Sequence, residues 1–257
     1  METKNTKILI TGANRGIGKA VAKRLAEDGA YLLLACRKQD EKLIAELTAA
    51  GAASVKILEG DLSTKEGVQS LVDQANKHQV DILFNNAGQL TGGLLEDQAI
   101  DDIYNMLQVN VNALIHLTRG VLPGMIERNC GKIINHSSVM GIMQLPTTST
   151  YAASKAAVIA FTNALRQELK PTKVTTLTLI TPGVKTRMFD QIAPLHGKNL
   201  DIPQSTIPPE RYAEMIREAI VEDLEILNPS GFTGAALKLA KYLPVVFEKG
   251  ASFKFKR

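Results

Sequence analysis

The sequence predicts an α/β fold built on a parallel, doubly wound sheet. Three observations carry that expectation. Short continuous apolar runs alternate with helix-period stretches along almost the whole chain, as they do when strands are buried on both faces. The first run, Lys7-Ile8-Leu9-Ile10-Thr11, passes straight into a glycine turn, Gly12-Ala13-Asn14-Arg15-Gly16-Ile17-Gly18, and then into a helical pattern through Val21, Leu25 and Ala26. The residues equipped for chemistry fall at or just past strand ends, or on a helix entering from that side, where such a sheet opens its ligand crevice.

Composition bounds the rest. A chain of 257 residues, 45% hydrophobic and 22% charged, is large enough for one α/β domain with a buried core. Repeats, low-complexity runs and linkers are absent, so one domain over 1–257 is the economical reading. No stretch reaches the ~20 apolar residues of a membrane helix, and the start lacks a signal-peptide apolar region. Cys36 and Cys130 lie far apart and offer neither metal spacing nor a disulfide framework. A cytoplasmic protein without a metal is expected. The net charge of +4 is too mild and dispersed for nucleic acid but suits an anionic cofactor.

In order, the pattern predicts strands at 7–11, 32–35, 55–58, 80–84, 132–135, 174–180 and 224–227. Helices are expected from 18 to near Gly29, then at about 39–50, 64–77, 97–128, 149–170, 209–223 and 232–242, with Pro123 kinking or splitting the long one. The Pro-punctuated stretch 184–208, containing Pro194, Pro203 and Pro208, reads as a substrate loop. The tail mixes Phe247, Phe253 and Phe255 with Lys249, Lys254, Lys256 and Arg257. It reads as a packed or frayed terminus, with membrane-surface contact as the alternative, so firm membrane association is not expected.

Strand, glycine turn and helix together make a phosphate-binding candidate of Gly12, Asn14, Arg15, Gly16, Ile17 and Gly18, because glycines let backbone amides approach a pyrophosphate at a helix N-terminus. The second strand ends at Cys36-Arg37 with no acid to bind ribose hydroxyls. Arg37 and Arg15 can clamp a 2′-phosphate there, which favours NADP(H) over NAD(H). At later strand ends, Asp61 can accept from an adenine amino group with Leu62 against the ring. Asn86, Ala87 and Gly88 can fix a loop beside the cofactor ribose. The structural alternatives are an Asp61 or Ser63 helix cap and a plain Asx turn. Asn110, among apolar residues, is expected to be buried and partnered.

Tyr151 and Lys155, four apart on a helix, differ by about 40° around its axis and share a face. A nearby ammonium favours phenolate, so the phenol is expected to be drawn down towards neutral pH, where it can exchange a proton with a carbonyl or alcohol oxygen. Ser138, thirteen residues upstream of Tyr151, can hold the same oxygen.

Over about 6–190 the sequence resembles the short-chain dehydrogenase/reductase family in its branch of roughly 250-residue subunits. The likeness rests on Thr11-Gly12-x-x-x-Gly16-x-Gly18, Asp61-Leu62, Asn85-Asn86-Ala87-Gly88, Asn110, Ser138, Tyr151-x-x-x-Lys155 and Pro182-Gly183. It implies a Rossmann domain with seven strands ordered 3-2-1-4-5-6-7, and a homodimer or homotetramer built on the helices at 97–128 and 149–170. It further implies Tyr151 as general acid/base and Ser138 polarising the carbonyl. Lys155 is implied to lower the tyrosine's pKa and bind the nicotinamide ribose, and Asn110 to hold a helix kink and a relay water. Pro182, Gly183 and Thr186 are implied cofactor contacts, although Thr186 stands three residues after Gly183 rather than four. His136 replaces a usual apolar residue in Asn-x-Ser-Ser, where a packed strand histidine is expected and a pocket role is the alternative. The C-terminus lacks the Asp-Gly-Gly ending of ketoacyl reductases. The expected activity is NADPH-dependent reduction of a small-molecule ketone or aldehyde, reversible as alcohol oxidation. Its alternatives are a non-catalytic NADP(H) sensor and, fitting less well, a sugar-nucleotide epimerase.

Overall fold

In a computed structural model, which describes residues 2–192, 206–253 and 255, seven parallel strands form one sheet in the order β3-β2-β1-β4-β5-β6-β7. The strands are β1 Lys7–Thr11, β2 Tyr31–Cys36, β3 Ser54–Glu59, β4 Ile82–Asn85, β5 Gly131–Ser138, β6 Val174–Thr181 and β7 Ile226–Leu227. Strand alternation sorts the core. Ile8, Ile10, Leu32, Leu34, Ile82 and Phe84 point to one face, and Leu9, Leu33, Ala35, Leu83 and Ile133 to the other. On the first face lie α1 (Gly16–Glu27), α2 (Glu41–Ala49) and a later helix, Pro209–Val221; on the second lie α3 (Lys65–Ala75), α5 (Ala113–Glu127) and α6 (Ser149–Leu169). Each fully buried Leu or Ile contributes roughly 2–3 kcal/mol of transfer free energy.

Local chemistry places the helix starts. Asp40 accepts from the Leu43 amide at 3.0 Å to cap α2, and Thr64 accepts from the Gly67 amide at 3.0 Å to cap α3. Asp61 and Ser63 are therefore not the cap residues. The predicted helix over 97–128 is α4 (Ile100–Leu107), a π-helical turn at Gln108–Asn112, and α5. Pro123 neither ends nor splits α5, which runs through it for four further residues. In stretch 184–208, the structure shows a short helix α7 (Arg187–Asp190) and a bridge from Val184 to Ile207. Pro194 and Pro203 lie outside the described residues. Helices α8 (Pro209–Val221), α9 (Gly231–Tyr242) and α10 (Pro244–Phe253) follow, the last unforeseen in the sequence.

Beneath the catalytic end, polar side chains cross the buried sheet. Asn85 on β4 donates to Asn135 of β5 at 2.9 Å and to Thr118 of α5 at 3.0 Å; Asn135 donates to Thr162 of α6 at 2.9 Å. All four residues are buried.

Candidate active site

The strand order reverses between β1 and β4, and the crevice opens beyond their C-terminal ends. Gly12 and Gly16 take φ of +67° and +54°, a left-handed region that favours glycine. At Gly18 an added Cβ would lie 2.3 Å from the Gly12 carbonyl oxygen and 2.4 Å from Asn86 Nδ2, so only hydrogen fits. Asn86 explains that closeness. Its Nδ2 donates to the Thr11 and Gly12 carbonyls at 2.8 and 3.3 Å, while the Asn86 and Ala87 amides both donate to Thr11 Oγ1 at 2.9 Å. The β4 loop thus holds the glycine turn in shape, a more specific arrangement than an Asx turn.

At the end of β2, a cleft of about 470 Å3 is lined by Asn14, Cys36, Arg37, Lys38, Gln39 and Asp40. Burial, with the Asp40 charge adding, pushes the Cys36 thiol up to about 11, so it stays neutral. Arg15 is exposed at the N-cap of α1, beside the glycine turn. Asp61 accepts from the Ser63 amide and hydroxyl at 2.9 and 2.8 Å. These bonds, aided by the nearby Arg37 charge, hold its carboxyl below the usual range. Leu62 packs half-buried against the second core face.

The chemistry gathers at the end of β5. Ser138 Oγ accepts from the Met140 amide at 3.2 Å and lies near enough to the Tyr151 phenol to favour its ionised form. Lys155 Nζ lies 5.7 Å from the Tyr151 ring centroid, on the shared face the spacing predicts, and donates to the His136 carbonyl at 2.9 Å. Ser137 Oγ donates to the Lys155 carbonyl at 2.8 Å, and an added Cβ on Gly141 would stand 2.9 Å from the Lys155 carbonyl carbon. These contacts tie α6 to β5.

Burial pushes the Tyr151 phenol up to about 12, against a smaller opposing pull from the Ser138 hydroxyl. That direction is opposite to the sequence expectation, because desolvation outweighs any attraction from Lys155. The same burial brings the Lys155 ammonium down to about 8.

Asn110 is buried in the π-helical turn and partnered as expected. Its Oδ1 accepts from the Gln89 amide at 2.8 Å, and its Nδ2 donates to the Gln89 carbonyl at 3.0 Å and to Ser154 Oγ at 3.1 Å. Ser154 in turn donates to the Tyr151 carbonyl at 2.7 Å. Sequence reasoning passed over Ser154; the available signal was a hydroxyl three residues after Tyr151 on an otherwise alanine-rich face. Asn110 Oδ1 and Lys155 Nζ both face Gly88, at 3.4 and 3.7 Å from where its Cβ would be.

His136 is a packed strand histidine with a specific partner. Its ring stacks at 6.2 Å on Phe84, and Nδ1 lies 3.0 Å from Asn86 Oδ1. Burial, then the Lys155 charge, drops its pKa to about 3, so the ring is neutral at pH 7 and Nδ1 carries the proton donated to Asn86. Pro182 and Gly183 follow β6, and the Gly183 carbonyl accepts from the Ile207 amide at 3.0 Å. Thr186 caps α7 through the Phe189 amide at 3.3 Å, and its Cγ2 lies 3.4 Å from where a Gly16 Cβ would be. The shortened spacing after Gly183 still brings Thr186 against the glycine turn.

The short chain dehydrogenase family model matches residues 6–195, which span the glycine turn, Ser138 and the Tyr151–Lys155 pair. The chain belongs to this family. An uncharacterized oxidoreductase of Staphylococcus aureus (strain MRSA252) is 35% identical over 208 residues, covering 80% of this chain and 89% of the relative. The chain is also similar to a short chain dehydrogenase/reductase from Burkholderia phymatum solved in complex with NAD. That match has 30% identity, a TM-score of 0.80 and coverage of 93% and 94% of the two chains. An alcohol dehydrogenase from Thermococcus sibiricus complexed with 5-hydroxy-NADP is similar at 25% identity and a TM-score of 0.75, over 88% of this chain and 99% of that one.

Proposed function

We propose that this family member reduces a ketone or aldehyde to the alcohol with NADPH, and runs the reverse oxidation. One observation carries the reading: a hydroxyl, a phenol and an ammonium, on Ser138, Tyr151 and Lys155, meet at the mouth of the sheet beside a glycine turn. The turn fits a dinucleotide, since Gly12 and Gly16 take left-handed backbone and Gly18 packs directly against Gly12 and Asn86, keeping backbone amides at the N-terminus of α1 clear of side chains. The similar structures bind NAD in one case and an NADP derivative in the other. NADPH is preferred here because Arg37 and Lys38 line the cleft at the end of β2, while Asp40, the acid present, is engaged in capping α2.

When bound, the dihydronicotinamide supplies a hydride. The chain's part is the oxygen. Tyr151 delivers the proton, and a phenol at about 12 is held fully protonated for that task at neutral pH. Ser138 accepts from the Met140 amide, which leaves its own proton to donate to the developing alkoxide. Lys155 and Asn110 both face Gly88, where a ribose would lie against the loop. A homodimer or homotetramer is part of the proposal; Ile100 and Tyr104 stand 62% and 70% exposed on α4, apolar surface that another subunit would cover.

The test is Tyr151→Phe against a panel of ketolipids, steroids, diketones and short ketones, followed by loss of NADPH absorbance. Turnover should fall by about 10²- to 10⁴-fold with NADPH affinity retained. Unchanged turnover refutes the role. NADPH binding with no turnover of any panel member by the wild-type chain would favour a non-catalytic sensor.

A further inference from the structure

We propose that the C-terminal helix pair α9–α10 is a docking surface for an anionic lipid bilayer, laid on the membrane rather than through it. The first observation is an absence of packing. No residue of α10 is buried among those described. A ten-residue helix is marginal in water on its own, so its stability must come from a surface it covers. The half-buried Phe247 and Ala251 share the side turned to protein. On the other side, Val245, Val246 and Phe253 are 62%, 55% and 92% exposed, with Lys249 between them by helical angle. On α9, Phe232 and Leu239, seven residues apart on one line, are exposed, and Tyr242 and Leu243 continue that exposed apolar surface towards α10. Leu237 anchors the opposite side of α9 to Val139 and Ile180.

The second observation is charge. Residues 230–257 contain five lysines and one arginine against the single acid Glu248, a net +5, whereas the first 229 residues sum to −1. The mild charge of the chain is therefore concentrated beside this exposed apolar surface, contrary to the dispersed reading of the composition. Lys238, Lys241 and Lys249 are exposed on the two helices, and Lys241 Nζ lies 5.5 Å over the Tyr242 ring. Long lysine stems can lie along apolar surface while the ammonium reaches a phosphate, and aromatic rings favour the headgroup level. No helix among the described residues is long and apolar enough to cross a membrane, which leaves lying on the surface.

A second copy of the chain is the other occupant to weigh. A two-fold contact sets the same patch against itself and would oppose +5 to +5. An anionic bilayer answers both the apolar area and the charge.

The experiment is co-sedimentation of the full chain with phosphatidylcholine vesicles and with vesicles also containing phosphatidylglycerol. The chain should sediment with the anionic vesicles and be released by salt. Val246→Glu with Phe253→Glu should reduce that partition at least about tenfold, as should glutamine at Lys238, Lys241 and Lys249, with thermal unfolding unchanged in both variants. No binding to anionic vesicles, binding that ignores lipid charge, or binding that both variants retain would each overturn the proposal. So would a concentration-dependent dimer that Phe253→Glu abolishes in a chain that does not bind vesicles, which would assign the face to a second copy.

Discussion

Replacing His136 by leucine should make the protein less stable at neutral pH yet less sensitive to acid. In the folded chain the imidazole stays neutral down to about pH 3, against an ordinary value of 6.5. As pH falls through 6.5 the unfolded chain takes up a proton that the folded one refuses, so stability drops across the window from 6.5 towards 3. Each unit is about 1.4 kcal/mol, giving a loss of about 2–3 kcal/mol between pH 6.5 and 4.5 from this residue alone. His136→Leu removes that loss. It also leaves Asn86 Oδ1 without the His136 donor, at about 1–3 kcal/mol near pH 7. The two stability curves should therefore converge or cross as pH falls. Asp28, Asp61 and Asp223, whose carboxyls are held below their usual range, act in both chains and cancel in the difference. Urea unfolding followed by far-ultraviolet circular dichroism is the assay, since the chain contains no tryptophan. Parallel curves would refute the reasoning.

Three further outcomes follow from the same geometry. Arg37→Asp should lower the ratio of kcat/KM for NADPH over NADH by about 10- to 100-fold, the worth of a charge-assisted phosphate contact; an unchanged ratio removes the case for NADPH. Gly18→Ala forces a methyl group against the Gly12 carbonyl and Asn86, so calorimetric NADPH affinity should fall about tenfold or more, and wild-type affinity would contradict the proposed cradle. Asn110→Ala strands the Gln89 amide and carbonyl and loosens Ser154; unfolding should become about 2–4 kcal/mol easier, and an equal stability would mean that solvent replaces these partners without cost.

The sheet and the glycine turn were legible in the sequence because each rests on a local pattern: apolar runs, glycine spacing and a strand-to-helix transition. The shared face of Tyr151 and Lys155 was legible for the same reason. The strand order followed from the family resemblance and not from any local pattern. What failed was non-local. β5 continues to Ser138, beyond the end of the apolar run, because Asn135, His136, Ser137 and Ser138 keep pairing with β6 although their polarity breaks the pattern. The bond between His136 and Asn86 spans fifty residues and leaves no trace in spacing. The raised Tyr151 phenol reflects depth of burial, which a four-residue interval does not encode. Helix α10 was hidden by Gly250 within it and by the absence of a buried stripe.

The buried amides under the crevice act as a ruler. Asn135 meets Asn85 in one register only, and Ser138 sits three residues further along the same strand. A slip of one residue would carry the reactive hydroxyl about 3.3 Å along the strand and turn it to the opposite face. The sheet interior thus measures out where the surface chemistry happens, and loops around the crevice can change length or sequence to suit new substrates while that distance stays fixed.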